Sequence, residues 1–342
     1  MNDEVTQSIL HDGRSSVSII GITGYTGLEL LRILQAHPLV DIAYLTSRQH
    51  EDTPIGVVYP HLSHLDLRIT DTDHHEVAEN SDVVFLALPH KTAQNVVADM
   101  YGKTRIIDLS ADYRLSDVET YEKYYKVPHA HPGLLGNVVY GLPEINREKI
   151  RQAQTVANPG CFALLAQLML YPFAGSIEHA DIMAITGSSG AGKTPVEGTH
   201  HPVRSHNMKS YNLNAHRHIP EITRTAQITE SQLNFVPSSG PFTRGIFATA
   251  FVRTKGGAAP PFPECYAGHP FVRIHDTVEL AHVTGSNFCD LSCHKVAEGN
   301  FIVQGAIDNL VKGAAGCAVQ NMNLMCGFEE TEGLKQLGPL YP

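Results

Sequence analysis

The sequence predicts an α/β protein in which a parallel-sheet domain is followed by an α+β domain. The chain has 342 residues, and at about 150 residues per domain this length favours two domains. The first half alternates short apolar runs with helical segments, whereas the second half carries strand-like segments separated by long loops. These observations define the fold class.

In the first half, strands are predicted at residues 17–22, 40–45, 82–88 and 104–109, with a helix at 28–35. Strands that alternate with helices favour a parallel sheet with helical crossovers. Their apolar residues are nearly continuous, which is typical of strands buried on both faces.

In the second half, we predict a buried helix at residues 161–171, an antiparallel or mixed sheet, and one long terminal helix at 306–325 that returns to the first domain. The resulting domains are a polar arm at 1–16, a nucleotide-binding domain from 17–158 and 306–342, and a catalytic domain at 159–305. The sheet strands are predicted at 182–186, 233–237, 246–252, 271–274 and 301–304.

The composition excludes several classes of protein. The net charge is −10, which disfavours nucleic acid as a partner. The longest apolar stretch is shorter than the roughly 20 residues of a membrane-spanning helix. The polar N-terminus has no signal-peptide core, and the six cysteines lack disulfide-framework spacing. We therefore expect a cytoplasmic protein with reduced thiols.

A glycine-rich loop follows the first predicted strand and precedes the first helix. Gly21, Gly24 and Gly27 are spaced G-x-x-G-x-x-G, with Thr23, Tyr25 and Thr26 between them. Small residues let the backbone approach a pyrophosphate, and the helix N-terminus offers N–H groups to it. We predict a dinucleotide site; the alternative is a tight strand-to-helix turn without a ligand.

The end of the second predicted strand indicates which dinucleotide binds. An NAD site usually places Asp or Glu there for the ribose hydroxyl, but this chain has Ser47 and Arg48. A hydroxyl and a guanidinium suit a 2′-phosphate, so NADP is the predicted cofactor. Alternatively, Arg48 is an ordinary solvated charge.

Cys161 is the candidate nucleophile. Asn158 and Pro159 are a favoured N-cap and a favoured first helical residue, so Cys161 is expected in the first turn of the helix. The field of the helix there stabilises a thiolate. The alternative is a small buried apolar side chain.

The segment from His216 to Glu221 concentrates titratable groups, with Arg217 between His216 and His218. A histidine here could take the thiol proton and return it. A polar surface loop and a zinc pair are the alternatives. His200, His201 and the Cys289/Cys293/His294 group also suggest metal, but none has the spacing of a structural zinc site, and we predict no metal.

Residues 187–194 match the P-loop pattern G-x-x-x-x-G-K-[ST] and suggest a nucleotide hydrolase as a rival class. A P-loop must open a helix, yet Pro195 and further loop-forming residues follow. A loop that closes over an anion, with Lys193 as its cation, is the preferred interpretation.

Together these segments resemble the N-acyl-γ-glutamyl-phosphate reductases of arginine biosynthesis. The resemblance extends from about residue 17 to 327. It is carried by GITGYTGLELLR (21–32), LTSR (45–48), DLSADYRL (108–115), YGLPEINR (140–147), NPGC (158–161), SSGAGK (188–193), HRHIPEI (216–222), RGI (244–246) and DNLVKGAAGCAVQNMN (308–323).

The resemblance implies a Rossmann-type domain closed by the C-terminal helix, a catalytic domain like those of aspartate-semialdehyde and glyceraldehyde-phosphate dehydrogenases, and a homodimer or homotetramer. It implies Cys161 as nucleophile and a histidine of the HRH motif as acid/base, for which we favour His216 over His218. Further implied cofactor contacts are Pro89, Ser189, Gly190 and Asn309, and implied substrate contacts are Arg114, Asn158, Lys193, Arg217 and Glu221.

Two segments differ from the arginine branch. Phe162, Ala163 and Leu164 follow the cysteine where that branch usually reads Tyr-Pro-Thr, and the loop 199–205 is similar to lysine-pathway relatives. An aminoadipyl or glutamyl phosphate borne on a small acidic carrier protein is therefore the alternative substrate.

Overall fold

The computed structural model describes residues 13–336 and residue 338. Most of the predicted N-terminal arm lies outside the described residues, and the first strand begins at Ser15. Ser15 and Ser16 therefore belong to a strand and not to the arm. The chain forms two compact units, one of Met1–Val118, Pro128–Asn158 and Ala318–Leu334, and one of Glu119–Val127, Pro159–Cys317 and Lys335–Pro342.

Unit 1 contains an eight-stranded sheet in the order β3-β4-β2-β1-β5-β6-β8-β7, in which every pair is parallel except β3 with β4. Its strands are β1 Ser15–Ile20, β2 Val40–Thr46, β3 Thr53–Pro54, β4 Arg68–Thr70, β5 Val83–Leu86, β6 Arg105–Asp108, β7 Val139–Tyr140 and β8 Thr155–Ala157.

The helices of this part of the chain alternate with those strands, so the predicted parallel sheet with helical crossovers is confirmed. All four residues of β5 are buried, as expected for a strand covered on both faces. The helices are α1 Tyr25–Leu34, α2 Ile55–Val58, α3 His74–Glu79, α4 Ala93–Met100, α5 Val118–Tyr125 and α6 Pro143–Arg151.

Unit 2 contains a seven-stranded mixed sheet in the order β10-β11-β9-β12-β15-β14-β13. The predicted mixed sheet is thus confirmed. Four of the five predicted strands are longer than the apolar runs suggested, and the one at 271–274 is one residue shorter. The strands are β9 Ile177–Thr186, β10 Lys209–Ser210, β11 Leu233–Ser239, β12 Ile246–Thr254, β13 Val272–Ile274, β14 Cys289–Ala297 and β15 Asn300–Ile307.

The central helix of unit 2 is α7 Cys161–Leu170, which packs on β12 and β15. Every residue after Cys161 in this helix is buried. It is hydrophobic on all sides, which is typical of a helix enclosed in a core. The other helices are α8 His201–Arg204, α9 Ile219–Ala226 and α10 Phe262–Cys265. No helix in the described ranges is both long and apolar enough to cross a membrane.

The prediction of one helix from residue 306 to 325 is wrong at its start. β15 continues to Ile307, a π-helical turn occupies Val311–Ala315, and α11 is Gly316–Cys326. The apolar residues at 306 and 307 belong to the last strand. Apolar and β-branched residues fit a buried strand as well as they fit a buried helix. The part of α11 from Ala318 onward belongs to unit 1.

Asp308 fixes the junction between β15 and this last helical segment. Its fully buried carboxylate accepts hydrogen bonds from the main-chain N–H groups of Gly285, Leu310 and Val311 at 2.6, 2.8 and 3.0 Å. It also pairs with the Arg244 guanidinium at 3.0 Å. A buried charge with this many donors is stabilised, and its removal leaves several donors without an acceptor.

We therefore expect Asp308→Ala to lower the free energy of unfolding by about 3 kcal/mol. The measurement is the thermal or urea unfolding midpoint of the full chain. Lys295→Ala is the matched control, because it removes an exposed pair between Lys295 and Glu298, and exposed pairs contribute little. Equal midpoints for the two variants would contradict the stabilising role of Asp308.

Candidate active site

The glycine loop of unit 1 is a tight turn between β1 and α1. Gly21 adopts a φ of +94°, which is disfavoured for residues with a side chain. A Cβ atom on Gly27 would lie 2.5 Å from the carbonyl oxygen of Gly21, so the loop is too tight for any other residue there. Gly24 caps α1 without a side-chain acceptor. Thr23 lies within this turn, and Tyr25 and Thr26 open the helix.

The end of β2 lies beside this loop. Thr46 pairs with Ile20 across the parallel sheet, and its carbonyl oxygen accepts the N–H groups of Gly21 and Ile22 at 3.0 and 3.2 Å. Ser47 and Arg48 follow directly, Ser47 buried and Arg48 exposed. Asp41 is at the opposite end of β2, where it pairs with Arg14 at 3.0 Å. The Asp41 carboxylate therefore lies at the other end of the strand from Ser47 and Arg48.

The segment after β5 adjoins the same loop. A Cβ atom on Gly21 would lie 2.5 Å from the carbonyl oxygen of Ala87. Pro89 is exposed two residues further along. The carboxyl ends of β1, β2 and β5 thus gather the glycine loop, Ser47, Arg48 and Pro89 at one edge of the sheet, where open α/β sheets bind ligands.

In unit 2, Cys161 is the first residue of α7, and Gly160 is its N-cap. The thiol is half-buried. The sequence prediction that Cys161 lies in the first turn is therefore correct. At this position, the N–H groups and the dipole of the helix favour the thiolate form.

The predicted cap at Asn158 is wrong. Asn158 belongs to unit 1, where its N–H donates to Asp108 O at 2.8 Å and its side chain accepts from Asn321 at 3.1 Å. These tertiary bonds hold it in the extended chain after β8, although asparagine favours N-caps. Arg114 is also buried in unit 1, with Nε donating to Asn158 O at 2.8 Å and Nη2 to Leu109 O at 3.0 Å.

His218 lies directly against the residue that precedes Cys161. A Cβ atom on Gly160 would overlap the His218 imidazole, so only glycine fits between this ring and the start of α7. Glu221, fully buried in the first turn of α9, accepts the Gly160 N–H at 3.1 Å through Oε2. The structure therefore brings His218 and Glu221 to Gly160, the residue that precedes Cys161.

His216 lies beside His218 but in a different setting. The two rings are 4.5 Å apart, and Nδ1 of His216 accepts the main-chain N–H of His218 at 3.2 Å. Phe162 and Phe235 contact the His216 ring edge-on at 5.6 and 5.7 Å. Burial, together with the charge of the neighbouring Arg217, lowers the pKa of His216 to about 4. His216 is consequently neutral at pH 7.

Tyr211 is a residue of this region that the sequence analysis missed. Its ring lies 5.9 Å from the His216 ring. Burial and the charge of the Cys161 thiolate raise the pKa of Tyr211 to about 12, so it stays a phenol. In the sequence, Tyr211 lies five residues before His216. This position alone does not distinguish Tyr211 from the other tyrosines as a residue of the site.

The thiol of Cys161 is also approached from the terminal segment. A Cβ atom on Gly313, in the π-helical turn, would lie 2.8 Å from Cβ of Cys161. The closeness of this turn explains why a glycine is needed there. Burial raises the pKa of Cys293 and of Cys326 to about 11, so these thiols are poor candidates for a nucleophile.

Ser189, Gly190 and Asn309 form a second polar cluster in unit 2. Asn309 Nδ2 donates to Ser189 Oγ at 3.0 Å, and Asn309 Oδ1 accepts the Gly245 N–H at 2.6 Å. A Cβ atom on Gly190 would meet Thr186 Oγ1 at 3.3 Å and the Asn309 amide at 3.8 Å. The structure thus brings Asn309 to Ser189 and Gly190, two adjacent residues that are distant from it in sequence.

The P-loop pattern at residues 187–194 does not open an α-helix. A short 3₁₀ turn at Ser188–Ala191 follows Gly187, and the chain then continues to a second one at Glu197–Thr199. Lys193 and Arg217 are exposed, as are His200 and His201. Within residues 13–336, no three His, Cys, Asp or Glu side chains are grouped so that they could hold a metal ion.

Two family models match the chain. Residues 16–153 match the semialdehyde dehydrogenase NAD-binding domain, and residues 161–309 match the semialdehyde dehydrogenase dimerisation domain. Among solved structures, the chain resembles aspartate semialdehyde dehydrogenase with NADP from Candida albicans. The TM-score is 0.67 at 15% identity, covering 91% of this chain and 98% of that one. The predicted fold class is confirmed.

Curated relatives are similar over nearly the whole chain. N-acetyl-gamma-glutamyl-phosphate reductase of Methanopyrus kandleri is 42% identical over 337 residues, covering 94% of this chain and 98% of the relative. The enzyme of the same name from Methanosphaera stadtmanae is 42% identical over 342 residues, covering 95% and 98%. The chain belongs to the N-acetyl-gamma-glutamyl-phosphate reductase family, within the semialdehyde dehydrogenases.

Proposed function

We propose that the chain reduces N-acetyl-γ-glutamyl phosphate to the γ-semialdehyde and phosphate with NADPH, as a step of arginine biosynthesis. The observation that carries this proposal is the start of α7, where Cys161 is the first helical residue and the His218 ring lies against Gly160. Relatives that share most of the chain have the corresponding name. They do not favour the carrier-bound aminoadipyl alternative, and the loop at 187–194 does not support a P-loop hydrolase.

Unit 1 fits NADP. Gly21 and Gly27 allow the tight turn before α1, and Gly24, where a Cβ atom would meet the Gly21 carbonyl oxygen at 3.8 Å, leaves room for a pyrophosphate. Ser47 and Arg48 offer a hydroxyl and a guanidinium for the 2′-phosphate. Pro89, Ser189, Gly190 and Asn309 are proposed as further cofactor contacts. When bound, NADPH supplies the hydride for the reduction.

The Cys161 thiolate attacks the acyl carbon of the substrate, and the carbon–oxygen bond to the phosphate breaks. The phosphate leaves with the bonding electron pair, and a thioester to Sγ remains. Addition of hydride to the thioester carbon leaves an oxyanion, and a proton delivered to this oxygen gives a thiohemiacetal. When the hydroxyl returns its proton to the base, the carbon–sulfur bond breaks, which releases the semialdehyde and returns Sγ as a thiolate that can be protonated.

His218 is the proposed acid/base, in preference to His216. A Cβ atom on Gly160, the residue before Cys161, would overlap the His218 ring. We infer that this imidazole exchanges a proton with the thiol and with the oxygen of the thiohemiacetal. His216 accepts the His218 main-chain N–H and is a weak base because its pKa is lowered to about 4. Its proposed role is to orient the loop that carries His218.

The substrate carries a phosphate and a carboxylate, both of which require cations. Lys193 and Arg217 are the proposed anchors in unit 2, because both are exposed cations and Arg217 lies between His216 and His218 in the chain. Glu221 acts by holding the Gly160 N–H. Asn158 and Arg114 are proposed as substrate contacts from unit 1, with part of the Arg114 guanidinium bonded to main-chain carbonyls.

We further propose a homodimer in the cytoplasm, with a homotetramer as the alternative. The match to a dimerisation domain supports self-association. Met183 on β9 and Phe251 on β12 are about half exposed on one face of the unit 2 sheet. A second copy of the chain on this face would remove both side chains from water.

The function predicts a defined substrate preference. In the reverse direction, the purified chain should reduce NADP beyond one equivalent per chain only with N-acetylglutamate γ-semialdehyde and inorganic phosphate together. The measurement is NADPH absorbance with a panel that also contains N-succinylglutamate and aminoadipate semialdehydes. Higher kcat/KM for an aminoadipate semialdehyde, or a rate independent of phosphate, would contradict the assignment.

Arg48→Ala should weaken NADPH use much more than NADH use. Loss of a charge-assisted contact to the 2′-phosphate should raise the KM for NADPH roughly 10- to 100-fold, with little change in the KM for NADH. Steady-state kinetics with both cofactors checks this. Lys126→Ala, which removes an exposed cation elsewhere, is the control for net charge. Equal losses with NADPH and NADH would refute the phosphate contact.

His218→Ala should lower kcat by about 10²–10⁴-fold and change the shape of the pH–rate profile, because it removes the proposed acid/base. His216→Ala should lower activity less and leave the profile between pH 5 and 9 unchanged, since His216 stays neutral until the pH falls towards 4. The opposite ranking would assign the proton transfer to His216. If neither variant changes kcat tenfold, His200 or His201 is the next candidate.

A further inference from the structure

The motif DLSADYRL at residues 108–115 contains a buried relay of hydrogen bonds in unit 1. Asp108 accepts the N–H and the hydroxyl of Ser110, each at 2.8 Å. Ser110 Oγ in turn accepts the Asp112 N–H at 3.1 Å. All three residues are at most 2% exposed. The relay therefore fixes the backbone of Asp112 relative to the end of β6.

The Asp112 carboxylate points at the segment that follows β5. Its Oδ1 accepts the main-chain N–H of Lys91 at 2.9 Å. Lys91 has a φ of +71°, a left-handed conformation that is uncommon for residues other than glycine, asparagine and aspartate. The Lys91 side chain is exposed, so its packing does not explain this conformation. The hydrogen bond from the Lys91 N–H to the buried Asp112 carboxylate explains the conformation instead.

The turn that Lys91 closes lies at the ligand-binding edge of the sheet. β5 is the parallel neighbour of β1, and the Ala87 carbonyl oxygen is in close contact with Gly21 of the glycine loop. Pro89, a proposed cofactor contact, lies between Ala87 and Lys91. The backbone path of residues 87–91 therefore sets one boundary of the dinucleotide site.

We propose that Asp112 is a positioning residue for NADPH: its carboxylate holds Lys91 in the left-handed conformation and thereby fixes the turn that borders the glycine loop. The proposal rests on the proposed NADPH-dependent function. Asp112 acts through the backbone of Lys91, at a strand end different from the one that carries Ser47 and Arg48.

Asp112→Ala, combined with changes at Lys91, tests this mechanism. With either the natural Lys91 or Lys91→Ala, Asp112→Ala should raise the NADPH dissociation constant about tenfold, the size expected for one lost charge-assisted bond. In a Lys91→Gly background the increase should be less than about threefold, because glycine adopts the left-handed conformation unaided. Lys91→Ala controls for the lost lysine charge.

Binding is measured by NADPH fluorescence titration, with kcat and KM determined alongside. Asp112→Asn keeps an acceptor oxygen and should stay within about threefold of the unchanged chain in dissociation constant, so it provides a folded variant if Asp112→Ala is unstable. An equal increase in all three Lys91 backgrounds, or an Asp112→Asn defect as large as that of Asp112→Ala, overturns the positioning role. Failure of the unchanged chain to bind NADPH overturns the proposed function itself.

Discussion

The residues at the start of α7 are packed so tightly that few other side chains would fit in their places. The His218 ring fills the space where a side chain at Gly160 would lie, and Gly313 brings the π-helical turn against Cβ of Cys161. Glu221, without exposure to water, ties the Gly160 N–H to α9. Because this packing is tight, the thiol has few alternative positions, and preorganisation of this kind lowers the reorganisation that a reaction requires.

In unit 1, the sheet holds the candidate cofactor-binding turns in fixed positions. Its parallel strands end together, and main-chain hydrogen bonds from the glycine loop to Thr46 connect β1, which leads into the loop, to β2, which ends one residue before Ser47. The unit 1 groups proposed to recognise the cofactor therefore come from separate turns held by one sheet. Loops on a rigid scaffold are the usual carriers of recognition.

Much of this organisation could be predicted from the sequence, namely the parallel sheet, the glycine loop and the helix opened by Cys161. The cap at Gly160 could not, because Asn158 forms tertiary hydrogen bonds that helix-capping preferences do not include. β14 was missed because its Asp290, Ser292 and His294 interrupt any apolar run. The proximity of Gly313 and His218 to the thiol is set by long-range packing, which local pattern cannot reveal.

The proposed reaction requires Cys161 to carry the acyl group as a thioester. The most direct measurement mixes the chain with N-acetylglutamate γ-semialdehyde and NADP without phosphate, followed by rapid acid quench and mass spectrometry. A rapid burst of one NADPH per chain, with the acyl group on the Cys161 peptide, is expected, and a Cys161→Ser chain should give neither. A full burst in the Cys161→Ser chain, or an acyl group on another residue, would contradict the account.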